Sequence, residues 1–340
     1  MNHLDDTTFP KIVYMMTERN IGIDILKFLA VLLITNSHMK LLYGKYSFLA
    51  TGGTLGDVLF FFCSGFTLFM KPITSIKDFP NWYKRRINRI YPTVLAIAII
   101  KCSFCDSHED INSILLSGGG WFVKCIMIYY VVIYFIGLYA KDKINWIIGF
   151  VSLASIAWFF SVERSFPFNM YGVEGRYMKW LLYFSFMLLG AKLGSSNIIL
   201  KTKTRRSLVY ALLGIMGFYV FYFIGVKVER FEYIEIFNFL PLLFAVYYIY
   251  QCGNTPMAKS LCQNKIGYFI IRFVGGLCLE MYLIQRSIFT DKLNHLFPLN
   301  IPIIFCIIVI AAYLSRCLAR FISQTFKDNP YDWGKMISIY

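Results

Sequence analysis

The chain has 340 residues, of which 58% are hydrophobic and 19% aromatic, whereas only 16% are charged. Such a composition excludes a soluble globular domain and is typical of a polytopic membrane protein. The formal charge of +15 does not indicate a nucleic-acid partner, because a positive-inside bias and anionic lipid headgroups account for it.

Apolar runs long enough to cross about 30 Å of hydrocarbon predict about ten transmembrane helices. We therefore predict an all-α fold, a polytopic integral membrane helical bundle. The third and fifth runs are the least regular, since Lys101 and Cys102 interrupt one and the other is short. In chain order the runs lie near residues 22–43, 54–74, 90–105, 121–140, 145–162, 177–194, 207–226, 233–251, 268–290 and 299–320.

The cations between the spans predict the orientation, because lysine and arginine accumulate in short cytoplasmic loops. With ten spans both termini are then cytoplasmic. We expect residues 1–20 to be a cytoplasmic N-terminal tail without a cleavable signal, residues 21–321 the transmembrane domain, and residues 322–340 a cytoplasmic C-terminal tail. The links after the second and sixth spans carry most of these cations: Lys71, Lys77, Lys84, Arg85, Arg86, Arg89, Lys201, Lys203, Arg205 and Arg206.

The first predicted span carries Asp24, Lys27 and His38. Each ionisable group in a span costs a few kcal/mol by insertion scales, so it needs a reason. Lys27 and His38 lie eleven positions apart, about three helical turns, and therefore share one stripe of the helix with Asp24. That stripe is expected to face protein or water, and a salt bridge between Asp24 and Lys27 is the structural alternative to a functional role.

The second predicted span begins with GGTLGD and places Asp57 at a depth similar to that of His38. A neutral imidazole held by a carboxylate can accept a hydroxyl proton near pH 7. We therefore predict His38 as a general base with Asp57 as its partner. The alternative is that the two residues only bridge helices by hydrogen bonds.

The link after the second span reads FPNWYKRRINRIYP and holds Arg85, Arg86 and Arg89. Topology and lipid phosphates explain such a cluster. Guanidinium groups also bind the phosphates of a nucleotide, and the spacing of Arg86 and Arg89 places both on one helical face.

Three further motifs follow: GGGWFVKCIMIYY around Trp121, RYMKWLLYFSFMLLGAKLG around Gly190 and Gly194, and GGLCLEMYLIQRSIF around Tyr282. Together with the first three stretches, in order and spacing over about residues 20–320, they resemble the acyltransferase-3 family of integral membrane acyltransferases. The resemblance implies that residues 21–321 form an acyltransferase domain in a bacterial plasma membrane. It implies transfer of an acyl group, acetyl before succinyl, from acyl-coenzyme A to a hydroxyl of a cell-envelope polysaccharide or its lipid-linked precursor.

Two positions depart from the family pattern. Lys27 stands where arginine is usual, which keeps the cation but loses the bidentate fork. Gln285 stands where histidine often follows Tyr-Leu-Ile, which alters the expected acceptor site.

The predicted site follows from these motifs and the resemblance. Acetyl-coenzyme A is the expected donor, an envelope glycan or lipid-linked oligosaccharide in the lipid bilayer is the expected acceptor, and no metal is expected. Glu280, Gln285 and Arg286 are placed toward the outer half of the ninth span. By role, the predicted residues are His38 and Asp57 for catalysis, Lys27, Arg85, Arg86 and Arg89 for the donor, and Trp121, Gln285 and Arg286 for the acceptor.

Two other functions also fit the sequence. A transporter or flippase for an envelope glycan or lipid would use the same buried ionisable residues as a substrate pathway, and it predicts flux without acyl chemistry. A catalytically inactive family member serving in export is favoured by Lys27 and Gln285. The oligomeric state is open.

Overall fold

The computed structural model describes residues 20–104, 112, 114, 120–163, 166–172, 175–196, 204–327 and 329–339. Most of the predicted N-terminal tail, residues 1–19, therefore lies outside the described part of the chain. Within that part the regular structure is entirely helical, as the composition predicted, and contains no strand.

The α-helices follow the predicted apolar runs in order, and short helices connect several of them. In chain order the helices are α1 (Ile21–His38), α2 (Lys40–Tyr43), α3 (Gly53–Phe69), α4 (Phe79–Phe104), α5 (Trp121–Tyr139), α6 (Ile144–Ser161), α7 (Arg176–Ser195), α8 (Thr204–Lys227), α9 (Phe239–Gly253), α10 (Pro256–Leu261), α11 (Lys265–Gly276), α12 (Cys278–Ile284), α13 (Asn300–Thr325) and α14 (Trp333–Ile337). Four of the helices, α2, α10, α12 and α14, have only four to seven residues. Single turns or short runs of 3₁₀-helix cover Gly44–Leu49, Ile76–Asp78, Lys141–Lys143, Glu229–Asn238, Gln285–Ser287 and Asn294–Leu296.

Within the described residues, six helices are long and apolar enough to cross a membrane, or up to eight if two bent pairs each form one span. The bent pairs are Lys40–Leu49 with Gly53–Phe69, at 102°, and Lys265–Gly276 with Cys278–Ser287, at 55°. A multi-pass membrane protein is thereby confirmed, whereas the count of ten spans and the cytoplasmic termini stay predictions.

Helix α1 occupies the centre of the bundle and packs against α3, α9, α11 and α12. Its apolar side chains Leu26, Ala30 and Val31 are almost completely buried, and Asn20 caps its first turn by accepting a hydrogen bond from the Ile23 amide at 3.2 Å. Because neighbours surround α1 on several sides, its polar stripe faces the interior of the bundle.

Helices α3 and α7 pack in direct backbone contact through glycines. A Cβ atom on Gly190 would overlap the Phe62 carbonyl, one on Gly194 the Phe66 carbonyl, and one on Gly65 the Met187 carbonyl. Small residues at a four-residue spacing permit this approach between membrane helices. The contact fixes α3, and thus Asp57, relative to α7.

We expect Gly190→Ala to destabilise the protein, because the added methyl group pushes α7 away from the α3 backbone. Overpacking of this kind costs about 1–3 kcal/mol. Thermal unfolding in detergent measures the effect, and Gly149→Ala on α6 is the matched control, since no atom lies within 4 Å of the position its Cβ would take. Equal unfolding temperatures for the two variants would contradict the packing argument.

Candidate active site

Two cavities are lined by residues of the same four helices, α1, α3, α5 and α12. The first, which we call the His38 cavity, has a volume of about 900 Å³. The second, the Lys27 cavity, has a volume of about 450 Å³. Lys27 and His38 are eleven residues apart on α1, which corresponds to about 16 Å along the helix axis. A single helix therefore supplies one ionisable group to each cavity.

His38 is the last residue of α1 and lines the His38 cavity, where it is half-buried. Asn36 holds the segment between α1 and α3 in place next to His38. The Asn36 side chain donates hydrogen bonds to the carbonyls of Leu49, at 2.9 Å, and Thr51, at 3.0 Å, and accepts one from the Tyr43 hydroxyl at 2.7 Å. This link fixes the cavity rim next to the imidazole.

Two glycines let α3 begin close to His38. Gly52 has a φ of +96°, a left-handed conformation that favours glycine. A Cβ on Gly53 would lie 2.6 Å from the Ser37 hydroxyl oxygen, so a larger residue there would push α3 away from α1. The GG pair of the sequence motif thus brings the first turn of α3 to the cavity.

Asp57 lines the same cavity from α3. Its Oδ2 accepts a hydrogen bond from the Tyr183 hydroxyl on α7 at 3.3 Å, and Tyr183 is almost completely buried. Among the described residues no hydrogen bond joins Asp57 to His38. The structure therefore brings the predicted pair into one cavity without a direct contact between them.

Lys179 on α7 is a buried cation that sequence reasoning missed. Its ammonium lies 4.4 Å from the centre of the Trp121 ring and donates hydrogen bonds to the carbonyls of Tyr171, at 3.4 Å, and Gly172, at 3.2 Å. Lys179 lines the His38 cavity and is near enough to Asp57 for their charges to interact. A lysine within the apolar RYMKWLLYF run was the only signal in the sequence.

The segment 166–172, whose carbonyl groups receive the Lys179 ammonium, is held in place by the residues that precede α9. Glu235 accepts a hydrogen bond from the Met170 amide at 2.9 Å, and the Tyr171 hydroxyl donates one to Asn238 at 2.7 Å. Glu235 and Asn238 are both buried. These contacts fix the two carbonyl groups that receive the Lys179 ammonium.

Nine aromatic rings and three cations contribute to the lining of the His38 cavity. The predicted acceptor residues Trp121 and Arg286 both line it, together with Lys124, which sequence reasoning had not assigned. Gln285 is fully buried, lines neither cavity, and its amide atoms have no hydrogen-bond partner among the described residues. The aromatic wall includes Trp121, Tyr171, Tyr177, Trp180, Tyr183, Phe218, Tyr219, Tyr222 and Tyr282.

The Lys27 cavity is strongly cationic. Arg86 and Arg89 from α4 line it with Lys27, whereas Arg85, which was predicted to share their role, is exposed and lies outside the lining. The Arg86 guanidinium lies 4.7 Å from the centre of the Trp82 ring, a contact that orients it.

Three further arginines converge on the Lys27 cavity and were not predicted. Arg272 comes from α11, and Arg316 and Arg320 come from α13. Arg316 forms a two-point ion pair with Glu280, with both N···O distances at 3.0 Å. Glu280 therefore lines the Lys27 cavity, whereas Arg286, six residues later, lines the His38 cavity.

The two cavities approach each other closely along two helices. On α3, Asp57 lines the His38 cavity and Phe60, less than one turn later, lines the Lys27 cavity. On α5, Trp121 and Lys124 line the His38 cavity and Phe122, between them in sequence, lines the Lys27 cavity, so both cavities border the first turn of this helix. Three helical residues span about 4.5 Å, so only a thin layer separates the cavities.

Four aromatic side chains that line one cavity or the other meet at this boundary, Phe60, Trp121, Phe122 and Tyr282, and we call them the aromatic partition. The Phe122 ring centre lies 4.9 Å from that of Phe60, 5.1 Å from Tyr282 and 5.8 Å from Trp121. Trp121 and Tyr282 face the His38 cavity, and Phe60 and Phe122 face the Lys27 cavity. Phe122, only 3% exposed, is the ring that touches the other three.

Among the described residues no group of three or more His, Cys, Asp or Glu side chains could hold a metal ion. The side chains that line the two cavities include many aromatic rings and several ammonium and guanidinium groups. Such groups suit organic and anionic ligands.

Comparison with known proteins assigns the chain to a family. The acyltransferase-3 family model, described as an acyltransferase domain, matches residues 20–317. No curated protein and no solved structure matches the chain. The family match includes Lys27, His38, Asp57 and the aromatic partition. Because it covers most of the chain, the protein belongs to the acyltransferase-3 family, as its sequence motifs predicted.

Proposed function

We propose that this membrane acyltransferase moves an acetyl group from acetyl-coenzyme A to a hydroxyl of a cell-envelope polysaccharide or its lipid-linked precursor in a bacterial plasma membrane. One observation carries the proposal beyond the family: α1 presents Lys27 to a cationic cavity and its last residue, His38, to an aromatic, polar cavity. An anionic donor and a glycan acceptor need such different environments.

The Lys27 cavity suits the nucleotide end of coenzyme A. Lys27, Arg86 and Arg89 supply positive charge, and guanidinium groups bind phosphate strongly. The same arginines belong to the link that the positive-inside rule assigns to the cytoplasm, where coenzyme A is present. We therefore place the mouth of this cavity on the cytoplasmic side.

His38 acts as the general base of the transfer. It takes the proton of the acceptor hydroxyl while the hydroxyl oxygen attacks the thioester carbonyl carbon. The carbon–sulfur bond then breaks, and the imidazolium returns the proton to the departing thiolate. The products are the acyl ester and coenzyme A with a free thiol, so the histidine ends in its starting state.

Asp57 supports His38 through the charge of the cavity rather than through a hydrogen bond. Its carboxylate, held by Tyr183 and facing Lys179, stabilises the imidazolium that forms during transfer. Lys179 is fixed by carbonyl groups and the Trp121 face, and thereby keeps Asp57 and the ring in place.

The aromatic wall of the His38 cavity suits a sugar acceptor. Trp121 and its neighbours offer flat apolar faces for the ring, and Arg286 and Lys124 offer donors for hydroxyl or carboxylate groups. Gln285 is buried behind this wall and is not assigned to the acceptor.

Transport of a glycan or lipid is the second candidate function. The observation that favours it is the presence of two cavities lined by the same helices, as an alternating-access pathway requires. It predicts substrate flux that persists when acyl transfer is abolished.

We expect His38→Ala to lower transfer at least about 100-fold, because general-base catalysis contributes on the order of 10²–10⁴. Radiolabelled acetyl-coenzyme A, supplied to membranes at matched protein levels, reports label on envelope glycan. His295→Ala is the control, since His295 is exposed and outside both cavities. Full transfer by His38→Ala would refute the catalytic role, and flux without label would favour transport.

We expect Arg89→Gln to raise the KM for acetyl-coenzyme A with little change in kcat. A charge-assisted hydrogen bond contributes about 1.5–3 kcal/mol, which is roughly a tenfold to hundredfold change in affinity. Steady-state kinetics over a range of donor concentrations measures this. Arg85→Gln is the matched control because Arg85 is exposed and outside the Lys27 cavity. An equal increase in KM in both variants would refute the proposed role of Arg89 in binding the donor phosphates.

A further inference from the structure

We propose that Phe122, at the centre of the aromatic partition, determines the length of the acyl chain that the enzyme transfers. This inference rests on the proposed function, because it requires a donor bound in the Lys27 cavity and a base in the His38 cavity. Sequence reasoning assigned no role to Phe122.

The first step is geometric. The anionic end of the donor is held at Lys27 and Arg89, whereas the thioester carbonyl must meet the acceptor hydroxyl beside His38. Lys27 and His38 lie about 16 Å apart along α1. The acyl end of the donor must therefore pass the aromatic partition to react.

The second step concerns the partition itself. It is thin at α3, because Asp57 and Phe60, less than one helical turn apart, line different cavities. Phe122 contacts Phe60 from α3 and Tyr282 from α12 at centre-to-centre distances of 4.9 Å and 5.1 Å. Displacement of its ring breaks contacts with every other member, so Phe122 is the side chain whose position opens or closes the passage.

The third step concerns selectivity. Protein interiors are close-packed, and a passage between rings admits a chain only up to a certain width and length. A methylene group that does not fit a tight apolar site changes catalytic efficiency by about tenfold or more. An acetyl group carries two fewer methylene groups than a butyryl group, so a closed ring at position 122 favours acetyl.

Before the acceptor binds, the acyl end of the donor rests on the Lys27 side of the partition, where the rings separate the thioester from the water of the polar His38 cavity. If the ring is removed, water from the polar His38 cavity reaches the carbonyl carbon. Its oxygen then bonds to that carbon, the carbon–sulfur bond breaks, and a carboxylic acid and free coenzyme A thiol are released. Phe122 variants should thus hydrolyse acetyl-coenzyme A without acceptor.

The test compares Phe122→Ala and the milder Phe122→Leu with Phe135→Ala. Phe135 lies on the same helix but packs against Phe79 and Tyr139, away from both cavities. Purified protein is assayed with acetyl-, butyryl- and octanoyl-coenzyme A, and free thiol is measured with and without envelope glycan. We expect both Phe122 variants to raise the butyryl-to-acetyl ratio of kcat/KM about tenfold and to raise hydrolysis without acceptor, while Phe135→Ala matches the wild type in both.

The possible outcomes distinguish a failure of this inference from a failure of the proposed function. Wild-type transfer with unchanged chain preference and hydrolysis in Phe122→Leu would overturn the role of Phe122 alone. No transfer or thiol release by the wild type would overturn the proposed function and this inference together. If Phe122→Ala does not fold, Phe122→Leu and Phe60→Leu provide the test, because each removes fewer atoms from the aromatic partition.

Discussion

The cost of ionisable side chains inside α1 is the constraint on which the rest of the structure depends. Each such group costs a few kcal/mol by insertion scales if it faces lipid. The surrounding helices remove that exposure: Tyr268 of α11 donates a hydrogen bond to Asp24 at 3.1 Å, and Lys27 and His38 each face a cavity. Because one helix carries all three groups on one stripe, the two cavities must lie in line along it.

Much of this site could be predicted because its signals are local. The spacing of Lys27 and His38 defines one helical face, and the GG pair before Asp57 marks a close approach of two helices. The three-residue spacing of Arg86 and Arg89 likewise places them together. Periodicity along a single helix suffices for each of these inferences.

The rest depends on packing between distant segments and could not be predicted. Arg272, Arg316 and Arg320 are cations near the ends of apolar runs, where topology and snorkelling are the ordinary explanations. Only the fold brings them to Lys27. The burial of Gln285 outside both cavities and the position of Glu280 in the Lys27 cavity likewise depend on how the short helix α12 packs against α1 and α13. The same limit applies to the span count, because α4 and α7 contain cations that lower their mean hydropathy.

The arrangement of charge and aromatic rings explains why two cavities serve one transfer better than an open channel. The nucleotide end of the proposed donor is anionic, and moving it through an apolar layer would cost far more than moving a neutral chain. Cations at the Lys27 cavity hold that charge in place, whereas the acyl arm carries no net charge. A partition of aromatic rings is therefore a small barrier for the arm and a large one for the nucleotide, ions and water. Separation of binding from chemistry thus follows from where the charges lie.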